Sequence, residues 1–446
     1  MARSAESRPV FGKSQTSALV MAALREFAAV PILVVAVCML LAVIAILADQ
    51  TQVAGLSAIG DAFGTLIGKQ ASSTALQSIA TGMLTVTSIT FSVLLLAVQQ
   101  TASNLSPVVF DQFVRRRINQ ALLGFFVGLS LYSYVVLAAV QDKRPPLVGA
   151  GIATVLTVLA MLLLLVLVYT TVDQMRPTNV LRQIHDRALA ARRRQEELRQ
   201  RTMRQGESTH PVTATYRSDA MGYVTQIDLD ALAAALDRVP KAEITVQVTL
   251  GQAVSYGDVV AVVRDDEPEE ADSLLAQVRD AVRMESRRDI DRDATTGISE
   301  IANIGWTSGS TAKHSPRVAQ QAVDVLKDLA ARWMDEDADP GSRRPAADRP
   351  QLRVVYRDDD LDRVLDSLYS LVVSAHESHQ HLTAVRVLEA YADLFPRSSG
   401  ESRRRIERDL SSFQPLLDQM PPSPMLAEAR ARLSECVEQA VGAADA

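Results

Sequence analysis

Apolar positions are distributed unevenly along the chain, and the pattern changes character near residue 172. Before it, four long runs of nearly unbroken hydrophobic residues stand out: Phe27 to Ala48, Ser78 to Val98, Ala121 to Val140 and Leu147 to Val172. None carries a charged side chain in its interior. Lipid offers the backbone no hydrogen-bond partner, so a crossing takes about 20 apolar residues in a helix. The spacing therefore predicts four transmembrane helices. Pro31 falls in the opening turn of the first, where a missing N–H costs little. That run is too long for a cleaved leader, whose apolar core spans about 7–15 residues, and it reads as a retained anchor.

Beyond residue 172 the pattern alternates and then turns amphipathic. Val212–Tyr216, Gly222–Ile227, Ile244–Val248 and Val259–Val263 read as strands, with turns at Gly251 and at Gly257-Asp258. Asp228 is placed to cap a short helix, Leu229 to Leu236. An acidic turn at Asp265 to Glu270 precedes a helix presenting Leu274, Leu275, Val278 and Val282 on one side. Helical periodicity continues over Ile298–Asn303, Val318–Met334, Leu361–Ala375, Leu382–Phe395, Ser402–Met420 and Met425–Val441. The expected class is an α-helical polytopic membrane domain joined to an α+β region with a small β-module and C-terminal helices. The implied organisation is an N-terminal tail (1–26), the membrane domain (27–172), a basic helical connector (173–209), the β-module (210–265), a helical segment (266–336), a linker (337–350) and a C-terminal helical region (351–446).

Basic residues orient the spans. Arg3, Arg8, Lys13 and Arg25 precede the first helix, and the loop after it holds only Lys69. The second loop carries Arg115, Arg116 and Arg117, and an arginine-rich stretch from Arg176 to Arg204 follows the fourth helix. Both termini are expected in the cytoplasm. The short third loop, with Lys143, Arg144 and Pro145-Pro146, carries no clear sign. Arg115, Arg116 and Arg117, with Arg192, Arg193 and Arg194, are candidate contacts for anionic lipid headgroups, worth about 1 kcal/mol per basic residue. Solvated topogenic charge is the plainer alternative.

The net charge of −6 gives no basic footprint for nucleic acid. Cys38 and Cys436 are too far apart in sequence to suggest a disulfide framework or metal-ligand spacing. No phosphate-binding loop, dinucleotide fingerprint or metalloprotease helix is present, and Gly305-Trp-Thr-Ser-Gly309 misplaces its serine for a nucleophile elbow. His376, His379 and His381 with Glu377 form the one histidine cluster, at an expected helix–loop junction. Neither a cofactor nor an enzymatic reaction is expected.

The second span carries a polar pattern. Ser78, Thr81, Thr85, Ser88, Ser92 and Gln99 fall at i, i+3, i+7, i+10, i+14 and i+21, one stripe at heptad spacing. Hydroxyls so placed either line a wetted passage or let helices approach and bond across. Two function classes follow: a homo-oligomeric channel or pore-like protein with a large cytoplasmic domain, or a membrane-anchored scaffold or sensor whose soluble half binds a partner that the sequence does not identify.

Thr90-Phe91-Ser92, Gln99, Ser103 to Pro107, Phe113 with Arg115 and Arg117, Gln120 and Leu123-Gly124 carry a likeness, fainter at Gly222-Tyr-Val224, Ile227-Asp228, Ile301-Ala302 and Pro316. On these residues the chain resembles a bacterial family of predicted membrane proteins, domain of unknown function number 2254. The resemblance implies the inner membrane and supplies no activity. The chain departs from the family pattern at Arg116, where an acidic residue is usual, and at Asn303 and His314-Ser315, where a small polar signature is altered.

Overall fold

The computed structural model describes residues 13–51, 71–104, 117–139, 146–174, 176–266, 268–288, 291–310, 316–339, 341, 344–346 and 349–445. The chain divides into two compact units, 1–176 and 177–446.

The first unit holds α1 (Lys13–Thr51), α2 (Ser72–Asn104), α3 (Arg117–Ala138) and α4 (Leu147–Gln174). Their membrane-compatible portions are Ala28–Gln50, Ser72–Val93, Arg117–Ala138 and Leu147–Thr171. Three agree with the expected runs to within about four residues, while the second starts and ends five or six residues earlier than Ser78 to Val98 and leaves Gln99 beyond it. Half of the α3 span is buried inside the unit, against 17%, 17% and 22% of the others, so α3 is the helix around which the rest pack. Leu122, Phe126, Leu129, Tyr132 and Val136 supply its core side chains. Gly124 and Gly128 let α1 come close: a Cβ on Gly124 would stand 2.7 Å from Pro31 Cα, and one on Gly128 2.8 Å from Cys38 Sγ. This small-xxx-small pair is a close-approach device of helices in lipid, where apolar burial gives no drive for association. Asp49, at the end of α1, accepts the N–H groups of Val148 (2.8 Å) and Gly149 (3.0 Å), capping α4 from a distant part of the chain. Tyr132 donates its hydroxyl to the Gly149 carbonyl at 3.1 Å. Ile32, Leu33, Leu84, Ile89, Val155, Leu162 and Leu165 stay exposed, an apolar surface of the kind that lipid covers.

The second unit begins with α5 (Pro177–Arg194), α6 (Glu196–Arg201), β1 (Val212–Arg217), β2 (Gly222–Ile227), α7 (Leu229–Leu236), β3 (Glu243–Val246), β4 (Ala253–Val254) and β5 (Val259–Arg264). It continues with α8 (Pro268–Ala281), β6 (Val282–Glu285), α9 (Ala294–Ser310), α10 (Pro316–Ala338), β7 (Val354–Tyr356), α11 (Asp360–Glu377), α12 (His381–Leu394), α13 (Gly400–Asp418) and α14 (Pro424–Asp445). Two small sheets form, in the orders β1-β5-β3-β7 and β4-β2-β6. All pairings are antiparallel except β3 with β7. Asp228 caps α7 as its position suggests, accepting the N–H groups of Asp230 and Ala231. Gly251 (φ 78°) turns the chain before β4, and a side chain there would strike the Asp293 carboxylate.

Three expectations change. Val282 does not extend the amphipathic helix: α8 stops at Ala281 and Val282 pairs with Ile227 in β6. The segment after the linker is not wholly helical, because Val354 to Tyr356 pair with Ile244 to Val246, so the sheet spans the boundaries drawn at 265 and 350. The basic connector is not a solvated rod either. α4 ends at Gln174 and a separate helix starts with Pro177 at its first position. That helix, α5, buries Val180, Leu181, Ile184, Ala188 and Ala191 against α9 and α10.

Candidate functional site

In α2 the buried positions are Ser72, Leu76, Ala80 and Met83, spaced by one helical turn, and they are the side turned into the unit. Ser78, Thr81, Thr85, Ser88, Ser92 and Gln99 are all exposed. The stripe thus does not serve packing against the chain's own described helices. Thr85 donates to the Thr81 carbonyl and Ser92 to the Ser88 carbonyl, each at 2.9 Å. Such back-bonding supplies a partner that lipid lacks. Thr87, off the stripe and half-buried, does the same to Met83 at 2.6 Å.

The arginines separate into two groups. Arg193 and Arg194 are exposed, and Arg194 donates to the Asp291 carbonyl at 2.5 Å. Arg117 is exposed at the start of α3, while Arg115 and Arg116 lie outside the described residues. Arg192 is no lipid contact: its side chain is 3% exposed and points into the second unit. The helical period explains the split, since Arg192 continues the buried row of Ile184, Ala188 and Ala191 while its neighbours face out.

Around Arg192 five elements converge. Its Nη1 donates to Asp358 and, at 3.0 Å, to Asp360, and its Nε lies 3.4 Å from Glu336. Its guanidinium stands 5.0 Å above the centre of the fully buried Trp333 ring. Arg199, 6% exposed, joins Glu336 at 2.8 Å, Asp358 at 3.1 Å and Asp337 at 3.5 Å. Thr295, in the first turn of α9, donates to the other Asp360 oxygen at 3.2 Å. Two guanidinium groups thus meet four carboxylates, with Asp359 and Asp293 close behind.

Glu336, 39% exposed, reaches solvent, but Asp358, Asp360 and Asp293 are buried with only two arginines among them, and a surplus carboxyl so placed is relieved by holding a proton. Burial, then the Asp358 charge, pushes the Asp360 carboxyl up to about 7. Burial also raises Asp358, but Arg192 and Arg199 outweigh it and hold that carboxyl below its usual range. Burial raises Asp293 and Asp359 as well. Beside the centre a cavity of about 140 Å³ opens between Arg204, Arg357, Asp337, Asp362 and the start of α13. Its arginines are already engaged, Arg357 with Glu401 and Asp362 and Arg204 with Asp337. Sequence reasoning missed this centre because Asp358 and Asp360 arrive more than 160 residues after Arg192. The one legible sign was Asp358-Asp359-Asp360 following a short β-branched run.

His376 lies in the last turn of α11, His379 occupies the connecting turn with φ 50°, and His381 begins α12. Among the described residues no three His, Cys, Asp or Glu side chains converge as a metal's ligands would. The altered positions His314 and Ser315 lie outside the described residues, while Asn303 sits within α9.

The family described as Predicted membrane protein (DUF2254) matches residues 25–393. The chain belongs to this family. No curated protein and no solved structure matches it. DUF2254 membership agrees with the four apolar helices and assigns no activity. The match runs from the first span through α12, so both the stripe and the Arg192 centre lie inside it, whereas α13 and α14 follow it.

Proposed function

We propose that the protein is a homo-oligomeric, pore-like protein of the bacterial inner membrane, with α2 of each copy turned toward the assembly axis. One observation carries this reading. The polar stripe occupies the side of α2 that the chain's own described helices leave open, while Leu76, Ala80 and Met83 pack inward. A second copy or a wetted lumen would use hydroxyls and the Gln99 amide there, and lipid would not. The positive-inside bias supports cytoplasmic termini and a cytoplasmic second unit. Arg117 and Arg193 are exposed, and this reading gives them to anionic headgroups on the cytoplasmic side.

The test is the mass of the intact assembly in detergent, followed by ion flux in liposomes for the double substitution Thr85→Leu and Ser88→Leu. The reading expects an oligomer whose assembly survives the substitutions while flux is lost. A monomeric wild type, or a double variant with unchanged flux, rejects it. The second reading, a membrane-anchored sensor, draws on the Arg192 centre, whose surplus of buried carboxylates gives the soluble unit a titratable element near neutral pH. A flux that is absent in the wild type, together with a structural response to pH in the same preparation, would favour it.

A further inference from the structure

Among the large apolar side chains described in the second unit, Tyr256 (82%) and Met221 (76%) are the most exposed; Met425, Val212 and Leu382 reach only 50%, 45% and 40%. They sit on neighbouring turns. The β1–β2 turn and the β4–β5 turn are tied together, with Gly257 N–H donating to the Ser218 carbonyl at 2.8 Å and Ser218 N–H to the Asp258 carbonyl at 2.9 Å. Gly222 pairs with Val254, which brings the residues just beyond each strand side by side. Further bonds stiffen the tips. Ser255 N–H donates to the Asp258 carboxylate at 2.8 Å, Arg217 to the Gly257 carbonyl at 2.9 Å, and the Ser218 hydroxyl to the Ala220 carbonyl at 2.6 Å. The fold therefore holds two bare apolar groups out on a braced edge, at a hydration cost it makes no local use of.

The size of the patch bears on what it meets. A stable protein interface buries about 800 Å² per partner, and two side chains fall well short of that. A bilayer interface asks for less. Tyrosine is at home at headgroup depth, with an apolar ring and a polar tip. The chain is a membrane protein, so a bilayer is held at high effective concentration and a weak wedge can be occupied. The local charges cancel: Arg217, Arg279, Arg287 and Arg288 are matched by Asp219, Asp258, Asp280 and Glu285, with Arg279 held to Asp219 at 2.6 Å. We propose that the paired tips carrying Met221 and Tyr256 insert into the interfacial layer of a lipid bilayer, as an apolar wedge that does not select for lipid charge. This inference stands independently of the pore reading.

The experiment uses the full chain with Cys38 and Cys436 replaced by alanine and a nitroxide attached at Ala220→Cys, which leaves both wedge residues in place. Collision with oxygen and with a water-soluble nickel chelate is compared in phosphatidylcholine nanodiscs and in nanodiscs with added phosphatidylglycerol. A label at Ser411→Cys, exposed on α13, supplies the aqueous reference. The wedge predicts a several-fold higher oxygen-to-nickel ratio at 220 than at 411, equal in both lipids and abolished by Met221→Asp with Tyr256→Asp. A ratio at 220 equal to that at 411 overturns it. Protection that appears only with phosphatidylglycerol overturns the apolar wedge in favour of an arginine contact. Protection that persists in detergent without bilayer overturns it in favour of a second copy.

Discussion

Gly124 lies so close to Pro31 that a Cβ would come within 2.7 Å of its Cα and 3.0 Å of its carbonyl oxygen. Both atoms are backbone and cannot swing aside, so any side chain at 124 must push α1 and α3 apart. Gly82, on α2, has nothing within 4 Å of its Cβ position. Gly124→Leu is therefore expected to cost about 1–3 kcal/mol or more through overpacking. Gly82→Ala should be neutral or raise stability by up to about 1 kcal/mol through helix propensity. Thermal unfolding in detergent, followed by circular dichroism, measures both. Equal effects would mean that the α1–α3 approach does not hold the unit together.

Arg192 is expected to act as a keystone of the second unit. Removing one partner of a buried ion pair strands the other charges and costs about 3–5 kcal/mol. Arg192→Ala should therefore destabilise far more than Arg193→Ala, which changes an exposed site and should stay within about 0.5 kcal/mol. The two tryptophans, Trp306 and Trp333, both lie in the second unit, so urea unfolding read by tryptophan fluorescence reports on it alone. Similar midpoints for the two variants would count against the keystone role.

The Asp360 carboxyl, raised to about 7 by burial and the Asp358 charge, makes a directional pH prediction. The fold favours its protonated form, so its contribution is complete below the ordinary carboxylate range and is lost as pH rises through about 7. Asp358, held low against Arg192, contributes above the ordinary range and loses that contribution on acidification. Between pH 5 and 8 wild-type stability should therefore fall with a slope of at most about 1.4 kcal/mol per pH unit from this one group. Asp360→Asn, neutral at every pH, should flatten that slope. Parallel pH profiles for the two proteins would show that Asp360 does not hold the proton.

Helix α5 places the boundary of the soluble fragment earlier than the alternating pattern alone suggests. Val180, Leu181, Ile184, Ala188 and Ala191 pack onto α9 and α10, and Arg192 and Arg199 complete the ion network. A fragment of residues 177–446 is expected to be soluble and to unfold cooperatively. A fragment starting at 210 exposes that apolar seam and leaves Asp358 and Asp360 without arginine, so it should aggregate or lack a transition. Limited proteolysis and size-exclusion chromatography distinguish the two.

The sequence made some of this architecture legible and hid the rest for identifiable reasons. The spans showed because lipid imposes a length and composition that few other segments meet. Asp228 showed as a cap because capping is local. The glycine pair at 124 and 128 was a readable spacing, although its partners Pro31 and Cys38 were not. Strand β7, three residues long, carries too little alternation to register, and its partner β3 is distant in sequence. Arg192 looked like topogenic charge because a run of three arginines carries no mark of which one is buried. Only the phase of α5 against α9, α10 and α11 decides that. The stripe on α2 was visible as a pattern, but which side of the helix it occupied depended on the packing of Leu76, Ala80 and Met83.

The parallel pairing of β3 with β7 also orders events in time. Strand β3 is complete once residue 246 has emerged, yet the neighbour that covers its outer edge lies roughly a hundred residues downstream. At about 5–20 residues per second of synthesis, that edge stays open for on the order of 5–20 s. An uncovered strand edge is a template for mispairing. The nascent chain thus carries an open strand edge after the spans have been made and before Tyr356 arrives, an interval in which a ribosome-associated chaperone would protect it.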